Sequence, residues 1–195
     1  MKSRPLKVGL DLDGVILYNP ARIARPFVAF GKEILFKRKK QNLFTIPRGK
    51  LSRYIWYLLH KSSVFTSSGL QDIKELSEKG IIEPYIITAR YSFLKHDFEK
   101  WLKKMKAERF IKQSFYNTKD EQPHLFKERM IRELGLDVFV EDNWDIVAHL
   151  TKSSCKTNQN LKVFWIYNLF DRGITYHYKF PSLRKAARAL SSTDI

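Results

Sequence analysis

Apolar and polar positions along the 195-residue chain alternate between two periods, and the places where one gives way to the other mark its elements. Leu6 to Leu12 is an apolar run that ends in the turn pair Asp13-Gly14, which predicts a short buried strand. From Asn19-Pro20 to about Lys40 the period lengthens. Ile23, Phe27, Phe30, Ile34 and Leu35 recur at mostly three- and four-residue intervals, and Leu51, Ile55, Leu58 and Leu59 repeat the pattern after Pro47, so two basic amphipathic helices are predicted. A third helix is expected from Leu70 to Lys79, stopped by Gly80, followed by a β-branched strand from Tyr85 to Thr88 entered through Pro84. Beyond it the pattern predicts a helix from Ser92 to Met105, a weak strand from Ile111 to Phe115, a helix from Gln122 to Leu134 closed by Gly135, and a strand from Asp137 to Glu141. Thr151 to Asn160 reads as a polar loop, Leu161 to Tyr167 as the last strand, and Ser182 to Leu190 as a C-terminal helix.

Strands separated by helices of ten or more residues indicate an α/β fold, a Rossmann-like parallel sheet flanked by helices on both faces. One connection does not fit. The stretch between the first strand and the helix at Leu70 is far longer than the roughly 2–6 residues of an ordinary βα connection, and is expected to be a small helical cap inserted after the first strand. Residues 1–17 and 69–195 would then form the core and residues 18–68 the cap.

Composition narrows the function classes. The single cysteine, Cys155, forms no internal disulfide, and the start of the chain carries no apolar signal core, so a cytoplasmic location is the expectation. No run approaches the roughly 18 apolar residues of a spanning helix, which argues against integral membrane association. Charge points toward phosphate-rich partners: 36 Lys and Arg stand against 20 Asp and Glu, for a net charge of +16. Much of the excess lies between Tyr18 and Ser68, where eleven Lys and Arg are opposed only by Glu33. That basic cap could contact a polyanion, or it could be a solvated face with counterions.

In open parallel sheets the ligand site lies beyond the C-terminal ends of the strands. Four groups fall there: Asp11-Leu12-Asp13-Gly14 after the first strand, Thr88-Ala89-Arg90 after the second, Lys127 on the helix before the fourth, and Glu141-Asp142-Asn143 at the end of the fourth. Several carboxylates converging on one crevice repel one another unless a cation sits among them, and an oxygen-only donor set suits Mg²⁺. With that ion in place, Asp11 is suited to attack phosphorus as a nucleophile, and Asp13 to protonate the leaving group and later activate water. Thr88 and Lys127 would hold the phosphoryl oxygens. The candidate set is therefore Asp11 and Asp13 as catalytic residues, Thr88, Ala89 and Lys127 as phosphate-binding residues, and Asp11, Asp13 and either Glu141 or Asp142 as metal ligands. An Asp-x-Asp-Gly sequence also occurs in calcium loops, but those need further oxygen ligands and flanking helices, whereas here a strand precedes and Val15-Ile16-Leu17 follow.

The same four groups resemble the motifs of the haloacid dehalogenase superfamily of aspartate-nucleophile phosphatases. Its DxD motif is matched by Asp11 and Asp13 in VGLDLDGVI, its second motif by Thr88 in YIITAR, its third by Lys127 in PHLFKERM and its fourth by Glu141-Asp142 in VFVEDN, in the right order. The likeness covers about Leu6 to Tyr167 and is closest to the branch of 5'(3')-deoxyribonucleotidases and related nucleotidases. It implies an aspartyl-phosphate intermediate, Mg²⁺ as cofactor, a phosphorylated small molecule such as a nucleotide as substrate, and a cap that closes over the site and selects substrates. The motif-four metal carboxylate is Glu141 or Asp142, of which Asp142 is favoured, with Asp145 within reach through water. Lys119 competes with Lys127, which sits at a spacing resembling the family's; Arg90 either binds the group neighbouring the phosphate or faces solvent; none of the five histidines is assigned a role. The alternatives to a nucleotidase-like phosphomonoesterase are a phosphatase acting on a nucleic-acid end or lipid head group, and a non-catalytic binder of nucleic acid or anionic membrane on the same scaffold. Oligomeric state is not legible.

Overall fold

A computed structural model describes residues 4–18, 44, 46–61, 63, 65–157, 160–168 and 171–191. Six strands form one parallel sheet: β1 (Leu6–Leu10), β4 (Ile82–Tyr91), β5 (Gln113–Asn117), β6 (Val138–Glu141), β7 (Lys162–Ile166) and β8 (Lys179–Phe180). A separate antiparallel pair joins β2 (Leu17–Tyr18) to β3 (Phe65–Thr66). The helices are α1 (Lys50–Lys61), α2 (Leu70–Glu78), α3 (Lys95–Met105), α4 (Pro123–Leu134), α5 (Trp144–Thr157) and α6 (Leu183–Leu190). The α/β parallel sheet expected from the sequence is present. No helix among the described residues is long and apolar enough to cross a membrane.

The sheet order β5-β4-β1-β6-β7-β8 follows from burying both faces. Successive side chains of a strand point to opposite sides, so Val138 and Val140 enter one core cluster while Phe139 between them enters the other. Phe164 and Ile166 separate from Val163 and Trp165 in the same way. Ile73 of α2, Phe98 and Trp101 of α3 and Leu183 and Ala187 of α6 cover the first face; Phe126 and Ile131 of α4 and Val147 and Leu150 of α5 cover the second. Gly9 lets β1 approach its neighbour, since a Cβ there would lie 2.6 Å from both Leu136 and Phe139 side chains.

The chain leaves β1 to build β4 and β5 on one side, then crosses back to build β6, β7 and β8 on the other. The C-terminal end of β1, flanked by β4 and β6, is therefore the switch point where a crevice opens.

Several predicted boundaries shift, and β2, β3, β8 and helix α5 are new. Residues 151–157 continue helix α5 and are not a loop: Ile146, Val147, Leu150 and Ser154 line its buried side, and Asn143 caps its start by accepting from the backbone N–H of Asp145 at 2.9 Å. The strand at Leu161 is not the last, because β8 adds a two-residue parallel edge beyond it. The strand at Pro84 begins earlier, at Ile82, and runs to Tyr91. Of the cap expected over residues 18–68, α1 forms where the second basic helix was predicted, and the first predicted helix, near residues 19–40, lies outside the described residues.

Candidate active site at the end of the first strand

Strand register brings three of the four sequence groups to one end of the sheet, and helix α4 adds Lys127. Leu10 pairs with Ile86 on one side and Val140 on the other, so Asp11 emerges between the ends of β4 and β6, and its N–H donates to the Val140 carbonyl at 3.0 Å. After Leu12 the chain turns back tightly. The N–H of Gly14 donates to the Leu17 carbonyl at 2.8 Å and that of Leu17 to the Leu12 carbonyl at 2.8 Å, and Gly14 has φ +93°, a conformation that costs glycine least. The turn holds Asp13 beside Asp11. In β4 the period of two puts Thr88 and Arg90 on one side, and the register with β5 breaks between Thr88 and Tyr91.

Every polar group of the predicted set except Ala89, which has no polar side chain, is buried: Asp11, Asp13, Thr88, Lys127 and Asp142, with Glu141 beside them. Lys127 Nζ lies 3.0 Å from Asp11 Oδ1 and donates to Glu141 Oε2 at 2.6 Å. The other Glu141 oxygen accepts from the N–H groups of Asp142 at 3.0 Å and Asn143 at 2.9 Å. Oxygens of Asp11, Glu141 and Asp142 lie within 4.8 Å of one another. Lys119, the competitor of Lys127, is exposed.

Three carboxylates share one ammonium here. Burial holds the Asp11 carboxyl well above the usual carboxylate range; Lys127 pulls it back, while Glu141 and Asp142 push further up. Burial likewise raises Glu141 despite Lys127. For Lys127, burial works against the charged form, but Asp11 and Glu141 outweigh it and raise its value. A buried cluster with surplus negative charge and only oxygen donors fits a hard divalent cation. Glu141 already accepts from Lys127 and two backbone N–H groups, so Asp11 and Asp142 are the better-placed ligands. The Asp13 carboxylate lies outside this cluster.

Asp13 instead meets Arg90, whose Nε donates to Oδ2 and Nη2 to Oδ1, both at 2.8 Å. The solvent-facing alternative for Arg90 is corrected: its side chain is fully buried. Two residues from the stretch between β2 and β3 reach the same carboxylate. Ser63 Oγ donates to Asp13 Oδ1 at 3.3 Å, and His60, at the end of α1, places Nε2 3.9 Å from Oδ2. His60 Nδ1 sits 2.8 Å from the Trp56 carbonyl, which fixes the ring. No histidine spacing in the sequence signals this, because the contact is made by the fold across dozens of residues.

No family model matches the sequence, and no curated protein matches it. Solved structures do. A HAD hydrolase of family IA, variant 3, from Entamoeba histolytica superposes with TM-score 0.58 over 95% of this chain and 98% of that one, at 10% identity. CbbY from Rhodobacter sphaeroides, in complex with phosphate, gives TM-score 0.54 at 11% identity over 92% and 95% of the two chains. The HAD-hydrolase YfnB from Bacillus subtilis, bound to magnesium, gives 0.58 at 12% identity over 97% and 100%. The fold is that of the HAD-like hydrolases. At these identities the likeness is one of architecture, and what the site does rests on its own residues.

Proposed function

We propose that the chain is a Mg²⁺-dependent phosphomonoesterase, nucleotidase-like in substrate, that works through an aspartyl-phosphate on Asp11. The observation that carries the reading is the buried placement of Asp11 at the switch point, 3.0 Å from Lys127 and grouped with Asp142 and Glu141. Asp11 and Asp142 would hold the metal, with the chain around Asp13 completing that side. Bound there, Mg²⁺ would offset the carboxylate charge and polarise a phosphoryl oxygen.

The remaining steps belong to the chain. A carboxylate oxygen of Asp11 bonds to phosphorus as the ester P–O bond breaks, and the departing oxygen takes a proton from Asp13. Lys127 and Thr88, with the backbone at Ala89, hold the phosphoryl oxygens as charge spreads over them. Water then attacks phosphorus, gives its proton to Asp13, and releases Asp11. His60 and Ser63 both reach the Asp13 carboxylate, which supports reading the cap segment as the part that meets the rest of the substrate.

The test is phosphate release from nucleoside monophosphates, sugar phosphates and end-phosphorylated oligonucleotides, with Mg²⁺ and with EDTA. Mg²⁺-dependent release is expected, and silence across the panel in folded protein would overturn the reading. The basic character of residues 18–68 favours one second reading, a phosphate at a nucleic-acid end. Turnover of the oligonucleotide would then fall steeply with salt while that of a small ester would not, and equal salt dependence would remove that reading.

A further inference from the structure

The reaction as derived leaves Arg90 without a part, although its guanidinium is among the largest fully buried groups in the protein. Its donors are already committed. Nε and Nη2 take both oxygens of Asp13 in a planar fork at 2.8 Å, and Nη1 donates to Asp97 Oδ2 at 2.5 Å. An arginine that binds phosphate keeps its fork for the ligand, whereas this one spends three of its five N–H donors on protein carboxylates. Asp97 lies in the first turn of α3, anchored to the core by Phe98 and Trp101, so the far end of the clamp is rigid.

We infer that Arg90, anchored by Asp97, is the positioning residue that fixes the plane and depth of the Asp13 carboxyl group for proton transfer to the ester oxygen. The inference rests on the phosphomonoesterase reading. A carboxyl group free to turn about its Cβ–Cγ bond presents its proton to the leaving oxygen only part of the time, and the bidentate fork removes that rotation. In the first half-reaction the electron pair of the breaking P–O bond goes to the ester oxygen, the proton of Asp13 follows it, and the resulting carboxylate stays in the fork. In the second half, the attacking water returns a proton to the same place.

Leaving groups distinguish this from a merely structural role. The phenolate of p-nitrophenyl phosphate departs without a proton; the alkoxide of a nucleoside 5'-phosphate does not. Arg90→Lys, which keeps the charge and loses the fork, is expected to lower kcat/KM, which reports the phosphoryl transfer to Asp11, for the nucleotide roughly tenfold to a hundredfold more than for p-nitrophenyl phosphate. Asp97→Asn, which loosens the anchor without touching Asp13, should show the same selective loss to a smaller degree. It also carries the test alone should circular dichroism show Arg90→Lys unfolded. Equal losses on both esters would overturn the inference. Wild-type protein that turns over neither ester would overturn the phosphomonoesterase reading beneath it instead.

Discussion

Asp11 and Asp13 stand two residues apart on one turn of chain, both buried, yet their surroundings are opposite. Asp11 shares a single ammonium, Lys127, with Glu141 and lies against Asp142, so its neighbourhood is short of positive charge. Asp13 is held by the Arg90 guanidinium, which also pairs with Asp97, and accepts from Ser63 as well. The difference teaches a division of labour. A carboxylate cluster with surplus negative charge is built to receive a cation and a phosphoryl group, whereas a carboxylate locked in a fork is built to keep its geometry through a proton transfer.

The comparison breaks most severely at Lys127. Lys127→Met keeps the bulk and removes the ammonium that pairs with buried Asp11 and Glu141, so phosphate release should vanish and the metal-free protein should lose about 3–5 kcal/mol in urea unfolding. Retained turnover with unchanged stability would mean that Asp11 and Glu141 do not depend on it. Asp142→Asn probes the metal half more gently. In wild type, Mg²⁺ at a hundredfold its dissociation constant should stabilise by about 2.7 kcal/mol and raise Tm, and the variant should lose most of that shift. An equal shift in both would assign the metal elsewhere.

A smaller effect sharpens the electrostatic contrast. Because burial raises the Asp11 carboxyl above its unfolded value, the folded state binds that proton more tightly. Asp11 therefore costs stability once pH rises past the usual carboxylate range, and the cost grows until pH passes the folded value. Asp11→Asn, measured without metal, should be more stable than wild type at pH 7, and the gain should shrink on acidification. A variant less stable at neutral pH would contradict the charge accounting. The least effect belongs to Lys119→Ala, exposed on its loop, which should leave turnover unchanged and stability within about 0.5 kcal/mol.

How much of this was legible in the sequence depends on whether a feature is local. The sheet was legible because runs such as Val138–Glu141 and Tyr85–Thr88 announce themselves within a few residues, and strand ends gather whatever polar groups follow them. Asp11, Lys127 and Asp142, each singled out from the sequence, accordingly lie close together. Helix α5 went unpredicted, and its end was read as a loop, because Thr151, Lys152, Ser153 and Ser154 follow the short apolar stripe of Ile146, Val147 and Leu150 and mask it. The clamp of Arg90 on Asp13 and Asp97, and the approach of His60 and Ser63, are products of packing between segments 50 to 77 positions apart in the case of Ser63 and Arg90. No spacing rule reaches that far, and an arginine after a strand threonine looks the same whether it faces water or a buried carboxylate.

The account stands on Asp11 as the group that takes the phosphoryl, and the direct measurement is acid quenching during turnover of a phosphomonoester with Mg²⁺, followed by peptide mass spectrometry. The account predicts a phosphoryl group on the peptide carrying Asp11, lost when the quenched protein is made alkaline and absent from Asp11→Asn. Phosphate release by Asp11→Asn at the wild-type rate, or a phosphoryl group on another residue, would contradict it.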